Sequence, residues 1–78
     1  MIESQSGAIV ITGATGAIGS ALAQHYAKRG AHLVLQGRNK ELLNQVSKQC
    51  RAAGASVTET SLDLCDRNAL TQWLDDLL

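Results

Sequence analysis

Three glycines, Gly13, Gly16 and Gly19, stand three apart, directly after a short apolar run and directly before a stretch of good helix formers. The run, Ala8-Ile9-Val10-Ile11-Thr12, is too short for a helix and rich in β-branched residues, which is how a strand buried on both faces reads. A strand, a glycine turn and a helix in that order create a place for an anion. The first N–H groups of a helix lack intrahelical acceptors, and the aligned peptide dipoles add about half a positive charge there. A diphosphate can use those groups only if the backbone comes close, so side chains must be missing. Gly13 suits the tight turn, Gly16 the approach of the ligand, and Gly19 the packing of the helix against the strand.

The remainder of the chain repeats this alternation. Ala17 to Arg29 reads as a helix, with Ile18, Leu22 and Tyr26 four apart as its packing stripe, small alanines beside them and Gly30 closing it. Ala31-His32-Leu33-Val34-Leu35-Gln36 reads as a second strand ended by Gly37. Asn39 is then an N-cap, and Leu42, Leu43, Val46, Cys50 and Ala53 follow helical spacing up to Gly54. Ser56 to Leu64 reads as a third strand. Asp66 caps a last helix carrying Leu70, Trp73, Leu74 and Leu77 at amphipathic spacing. The order βαβαβα with short connections implies an α/β fold: a Rossmann-like, three-stranded parallel sheet in the order 3-2-1, half of a doubly wound arrangement.

Composition removes other classes. Seven Lys and Arg balance seven Asp and Glu, so net charge is zero and no basic field exists for nucleic acid or an anionic membrane. At 45% hydrophobic residues the chain is too apolar for disorder, yet its apolar runs are too interrupted for a membrane span. Two cysteines make no disulfide framework, and the first seven residues lack a cationic-then-apolar leader, so a reduced cytoplasmic setting is expected. His25 and His32 have no acid or cysteine partner at ligand spacing, and no metal site is expected.

The end of the second strand bears on the choice of dinucleotide. An acid there would bond the adenosine ribose 2′-hydroxyl of NAD and repel the 2′-phosphate of NADP. The strand ends Leu35-Gln36-Gly37 without an acid, and Arg38 follows with a guanidinium able to grip a phosphate through two hydrogen bonds. NADP(H) is expected in preference to NAD(H).

The segment Thr12-Gly13-Ala14-Thr15-Gly16-Ala17-Ile18-Gly19 resembles the cofactor loop of the short-chain dehydrogenase/reductase superfamily, whose fingerprint is Thr-Gly-x-x-x-Gly-x-Gly or Thr-Gly-x-x-Gly-x-x-Gly. Its glycines follow the second form, usual in the extended, sugar-nucleotide branch. Gly37-Arg38-Asn39 and Leu62-Asp63-Leu64 look more like the simple reductases, including 3-oxoacyl-carrier-protein reductases. The resemblance implies that the loop amides from Gly13 through Gly16, Ala17, Ile18 and Gly19 hold the diphosphate. It implies that Thr15, Arg38 and Asn39 hold the 2′-phosphate end, and that Asp63 and Leu64 frame the adenine.

The family's reaction moves hydride between nicotinamide and a carbonyl or alcohol carbon, with a tyrosine and a lysine four residues on. The one tyrosine, Tyr26, lies in the first helix and is followed by Gly30, so no catalytic residue is assigned. Residues 1–78 are therefore expected to be the N-terminal mononucleotide-binding half of a longer enzyme, inactive alone, whose parent reduces a 3-oxoacyl thioester or simple ketone. An extended-branch epimerase or dehydratase, or a non-catalytic nucleotide-binding or assembly module, are the alternatives. In isolation the Ile9-Val10-Ile11 ladder would be a bare sheet edge, and the chain is expected either to form homo-oligomers through it or to be unstable.

Overall fold

The chain runs β1 (Ile2–Glu3), β2 (Ile9–Ile11), α1 (Ala17–Ala27), β3 (His32–Gly37), α2 (Lys40–Ala52), β4 (Ser56–Ser61) and α3 (Arg67–Leu77). The computed structural model describes residues 2–3 and 7–77, with the side chains of 7–76. β2, β3 and β4 form the expected parallel sheet. Ile9, Val10 and Ile11 lie opposite Leu33, Val34 and Leu35, and β3 pairs with β4 from His32 opposite Ser56 to Gly37 opposite Ser61. Each crossover carries a helix, which is what parallel neighbours require.

One expectation is corrected. The outer edge of β2 is not bare: Ile2 pairs with Val10 and Glu3 with Ile9 in antiparallel register, giving the order β1-β2-β3-β4. Unpaired strand-edge groups attract any available backbone, and the segment just before β2 supplies it. Association of copies through that edge would first have to displace Ile2–Glu3.

The apolar side chains of the strands divide between the two faces of the sheet. Ile11, Leu33 and Leu35 form one core with Ala23 and Ala27 of α1 and Leu43, Val46 and Cys50 of α2. A fully buried Leu or Ile contributes about 1.5–3 kcal/mol, so this layer dominates the apolar stabilisation. The opposite face is thinner: Ala8, Val10 and Val34, with Trp73 of α3 packed on them. Leu70 and Leu74 are half-buried, while the side chain of Leu77, expected on the same face, lies outside the described residues.

The packing stripe of α1 also differs from expectation. Gly19, Ala23 and Ala27 are its buried residues, Leu22 and Tyr26 only flank the core, and Ile18 is 78% exposed. The smallest side chains face the sheet because they permit the closest approach, which turns Ile18 outward at the first turn. On α2, similarly, Leu43, Val46, Ser47 and Cys50 are buried, whereas Leu42 and Ala53 are exposed. No helix among the described residues is long and apolar enough to cross a membrane.

Candidate functional site

The carboxyl ends of the three parallel strands each lead into a loop, and the three loops enclose a cleft of about 540 Å³. Its lining comprises Gly13, Thr15 and Gly16 after β2; Gln36, Gly37, Arg38 and Asn39 around the end of β3; and Asp63, Leu64 and Cys65 after β4. Clefts outside the carboxyl ends of parallel strands are where open α/β sheets bind ligands, and this volume is in the ordinary range for a small-molecule site.

The first wall is the glycine turn. Gly13 turns the chain at φ +62°. Its amide donates to Gln36 Oε1 at 2.8 Å, and the Ala14 amide donates to the Gln36 carbonyl at 2.8 Å. Gly16 donates to the Gly13 carbonyl at 3.1 Å and stands as the extended N-cap of α1, with no side chain closing the helix end. The first helical bond runs from Ser20 N to Gly16 O at 2.9 Å, so the amides of Ala17, Ile18 and Gly19 have no main-chain acceptor among the described residues. These are the donors an anion would use.

The second wall begins where β3 ends. Gly37 is buried opposite Ser61, and Arg38 follows as an exposed residue on the cleft. Asn39 caps α2: its Oδ1 accepts from the amides of Glu41 at 3.0 Å and Leu42 at 3.1 Å. The capping bonds use the oxygen, and Asn39 itself lines the cleft.

The third wall begins three residues earlier than expected. β4 ends at Ser61, Leu62 N still donates to Gly37 O at 3.2 Å, and Asp63 then turns the chain by accepting from Cys65 N at 2.9 Å through Oδ1. Asp66 caps α3, its Oδ1 accepting from Ala69 N at 3.2 Å.

Of the residues singled out in the sequence, Gly13, Thr15, Gly16, Arg38, Asn39, Asp63 and Leu64 share the cleft. Ala17 and Ile18 are exposed on the first turn of α1, while Gly19 is buried behind the glycine turn. Sequence reasoning missed Gln36, Gly37 and Cys65 as lining residues. The signal for Gln36 was a polar side chain closing the apolar run Leu33-Val34-Leu35. Tyr26 is half-buried against the core, its ring edge-on to His25 with centroids 5.2 Å apart, which suits a packing role. Cys50 is fully buried, and burial raises its thiol pKa; Cys65 is exposed, and both are free thiols.

A parallel sheet with an uncapped, glycine-opened helix at its carboxyl edge defines a nucleotide-binding fold of the Rossmann type. The comparisons with known proteins make the class specific. The sequence profile described as short chain dehydrogenase matches residues 7–78, and the chain belongs to that family. It is 43% identical over 51 residues to a hydroxysteroid 11-beta-dehydrogenase 1-like protein of Macaca fascicularis, covering 65% of this chain and 18% of that protein. The crystal structure of a metagenomic short-chain oxidoreductase in complex with NADP is similar at a TM-score of 0.83 and 32% identity, over 91% of this chain and 32% of the other. NAD+-bound xylitol dehydrogenase is similar at a TM-score of 0.81 and 28% identity, over 88% of this chain and 26% of the other. The chain thus spans no more than about a third of the length of each of these.

Proposed function

We propose that this chain is the NADP(H)-binding half of a short-chain oxidoreductase, holding the adenosine 2′-phosphate and the diphosphate. The observation that carries the reading is the pairing of an acid-free strand end, Gln36-Gly37, with Arg38 on the same cleft as the glycine turn. A Cβ on Gly37 would lie 3.1 Å from Thr15 Cγ2 and 3.6 Å from Leu43 Cδ1. That crowding disfavours an acidic side chain there, the residue that would select NAD.

The residues fit the cofactor. The amides of Gly13 and Gly16, expected to hold the diphosphate, are already bonded to Gln36 Oε1 and to the Gly13 carbonyl, so the unpaired amides of Ala17, Ile18 and Gly19 would take it. Arg38, Thr15 and the Asn39 Nδ2 would take the 2′-phosphate, and Asp63 and Leu64 would frame the adenine. NADP(H), when bound, supplies or accepts the hydride; this chain's residues bind and orient it. The reacting carbon would be that of a ketone or secondary alcohol, the class that the relatives' names suggest; a 3-oxoacyl thioester is one such ketone. A second half bearing Tyr-x-x-x-Lys would complete the parent enzyme. Two free thiols fit a reducing, cytoplasmic compartment.

The glycine spacing Gly13, Gly16, Gly19 favours one rival, an extended-branch epimerase or dehydratase. Titration of the chain with NADPH and NADH separates the readings. Arg38→Asp should weaken NADPH binding at least about tenfold, the loss of a charge-assisted pair and the gain of a repulsive one, with NADH little changed. Equal losses for both coenzymes would overturn the assignment.

A further inference from the structure

Gln36 is the buried polar residue of the site, 2% exposed at the end of β3. Three of its groups reach across loops. The side-chain Oε1 accepts from Gly13 N at 2.8 Å, the side-chain Nε2 donates to Leu62 O at 2.6 Å, and the main-chain oxygen accepts from Ala14 N at 2.8 Å. The amide has one workable orientation, because turning it over would set NH2 against the Gly13 N–H and the oxygen against the Leu62 carbonyl. One side chain therefore fastens the glycine turn to the loop that follows β4, and the residue next to it in the chain leads into Arg38.

We infer that Gln36 is a positioning residue for the dinucleotide: its amide fixes the spacing between the diphosphate-facing turn and the adenine-facing loop, without itself touching the ligand. The inference rests on the reading of this cleft as the dinucleotide site. It follows from the chemistry of the two bonds. A donor at Gly13 and an acceptor at Leu62 can be bridged by a carboxamide, whereas a carboxylate satisfies the first and repels the second. A hydroxyl is too short to span both, and an apolar side chain leaves both groups buried and unpaired. Because the diphosphate and adenosine are common to both coenzymes, the effect of Gln36 is not selective for the 2′-phosphate.

The experiment is a titration of the chain and its Gln36→Met variant with NADPH and with NADH, alongside thermal melting. Methionine keeps the length of the side chain and removes both bonds. Both coenzymes should lose about tenfold in affinity by the same factor, in contrast to the NADPH-selective loss from Arg38→Asp. A variant that melts lower yet binds both coenzymes as the parent does would show a merely structural bridge and overturn the inference. Failure of the parent chain to bind NADPH would instead overturn the reading of the cleft.

A measurement on the parent keeps the test open if the variant does not fold. In nitrogen-15 spectra, the Gln36 carboxamide protons should exchange slowly and should shift together with the Gly13 amide and with the Asp63 amide, which shares a peptide with the Leu62 carbonyl, when NADPH is added. A Gln36 carboxamide in fast exchange and unmoved by NADPH would overturn the inference.

Discussion

Gly19 lies against the main chain of Gly13: a Cβ at position 19 would stand 2.9 Å from the Gly13 carbonyl carbon, 3.0 Å from Ala14 Cα, and closer still to the Gly13 oxygen. All three are backbone atoms of the turn whose Gly13 and Ala14 amides are bonded to Gln36. Neither side of the contact yields without moving α1 off the sheet. Gly19→Ala should cost about 2 kcal/mol, as overpacking of a tight interior does. For a domain of this size that lowers Tm by roughly 10 °C, checked by a circular dichroism melt. Coenzyme binding should fall with it, since the same turn presents the helix amides.

Asn39 stands in two places at once: its oxygen caps α2, and the residue lines the cleft. Asn39→Ala should cost about 1 kcal/mol of stability through the lost cap. Asn39→Asp keeps the capping oxygen and adds a negative charge at a helix N-terminus, where it is favourable, so stability should hold or rise. The same charge faces the proposed 2′-phosphate position, and NADPH affinity should drop while NADH affinity changes little. Melting curves and parallel titrations of the two variants separate the effects.

Much of this architecture was legible from local signals. The apolar run of β3, the Asn39 and Asp66 caps and the glycine turn each have a near-neighbour cause, and each element stands where those signals point. Expectation failed where a distant contact decided. Spacing alone made Ile18 part of the stripe of α1, but Gly19, Ala23 and Ala27 face the sheet because they are small. The antiparallel pairing of Ile2–Glu3 with β2 was invisible because two residues carry no periodicity. The Gln36 bridge joins positions 23 and 26 residues away, which no pattern along the chain reveals.

Ser47 offers a route to stabilisation. It is fully buried on α2 and its Oγ has no hydrogen-bond partner among the described residues. An unpaired buried hydroxyl carries a desolvation cost that is not repaid, and alanine is the better helix former. Ser47→Ala should raise stability by about 1 kcal/mol, seen as a higher urea midpoint at unchanged slope. A lower midpoint would mean that the hydroxyl is bonded in solution.

The two cysteines should differ in their reaction with thiol reagents, because one is exposed and the other buried. Cys65 lines the cleft and is exposed, so a thiol reagent should modify it quickly, and NADPH should slow that reaction. Cys50, fully buried, should react only as fast as the chain opens. Burial raises its pKa above the ordinary 9.0. The unfolded chain therefore gives up this proton first as pH rises, so the stability contribution is complete below about pH 9 and declines above it. Denaturation midpoints at pH 8 and pH 10 should show that decline, and Cys50→Ala, itself less stable, should show a flatter dependence.

Val10 is flanked on both sides, by Val34 running with it and by Ile2 running against it. A row of main-chain groups accommodates one neighbour at a time. Enlargement of the sheet on that flank by a strand aligned with β2 is consequently an exchange rather than an addition: the newcomer must evict two residues of opposite direction before its own ladder can close.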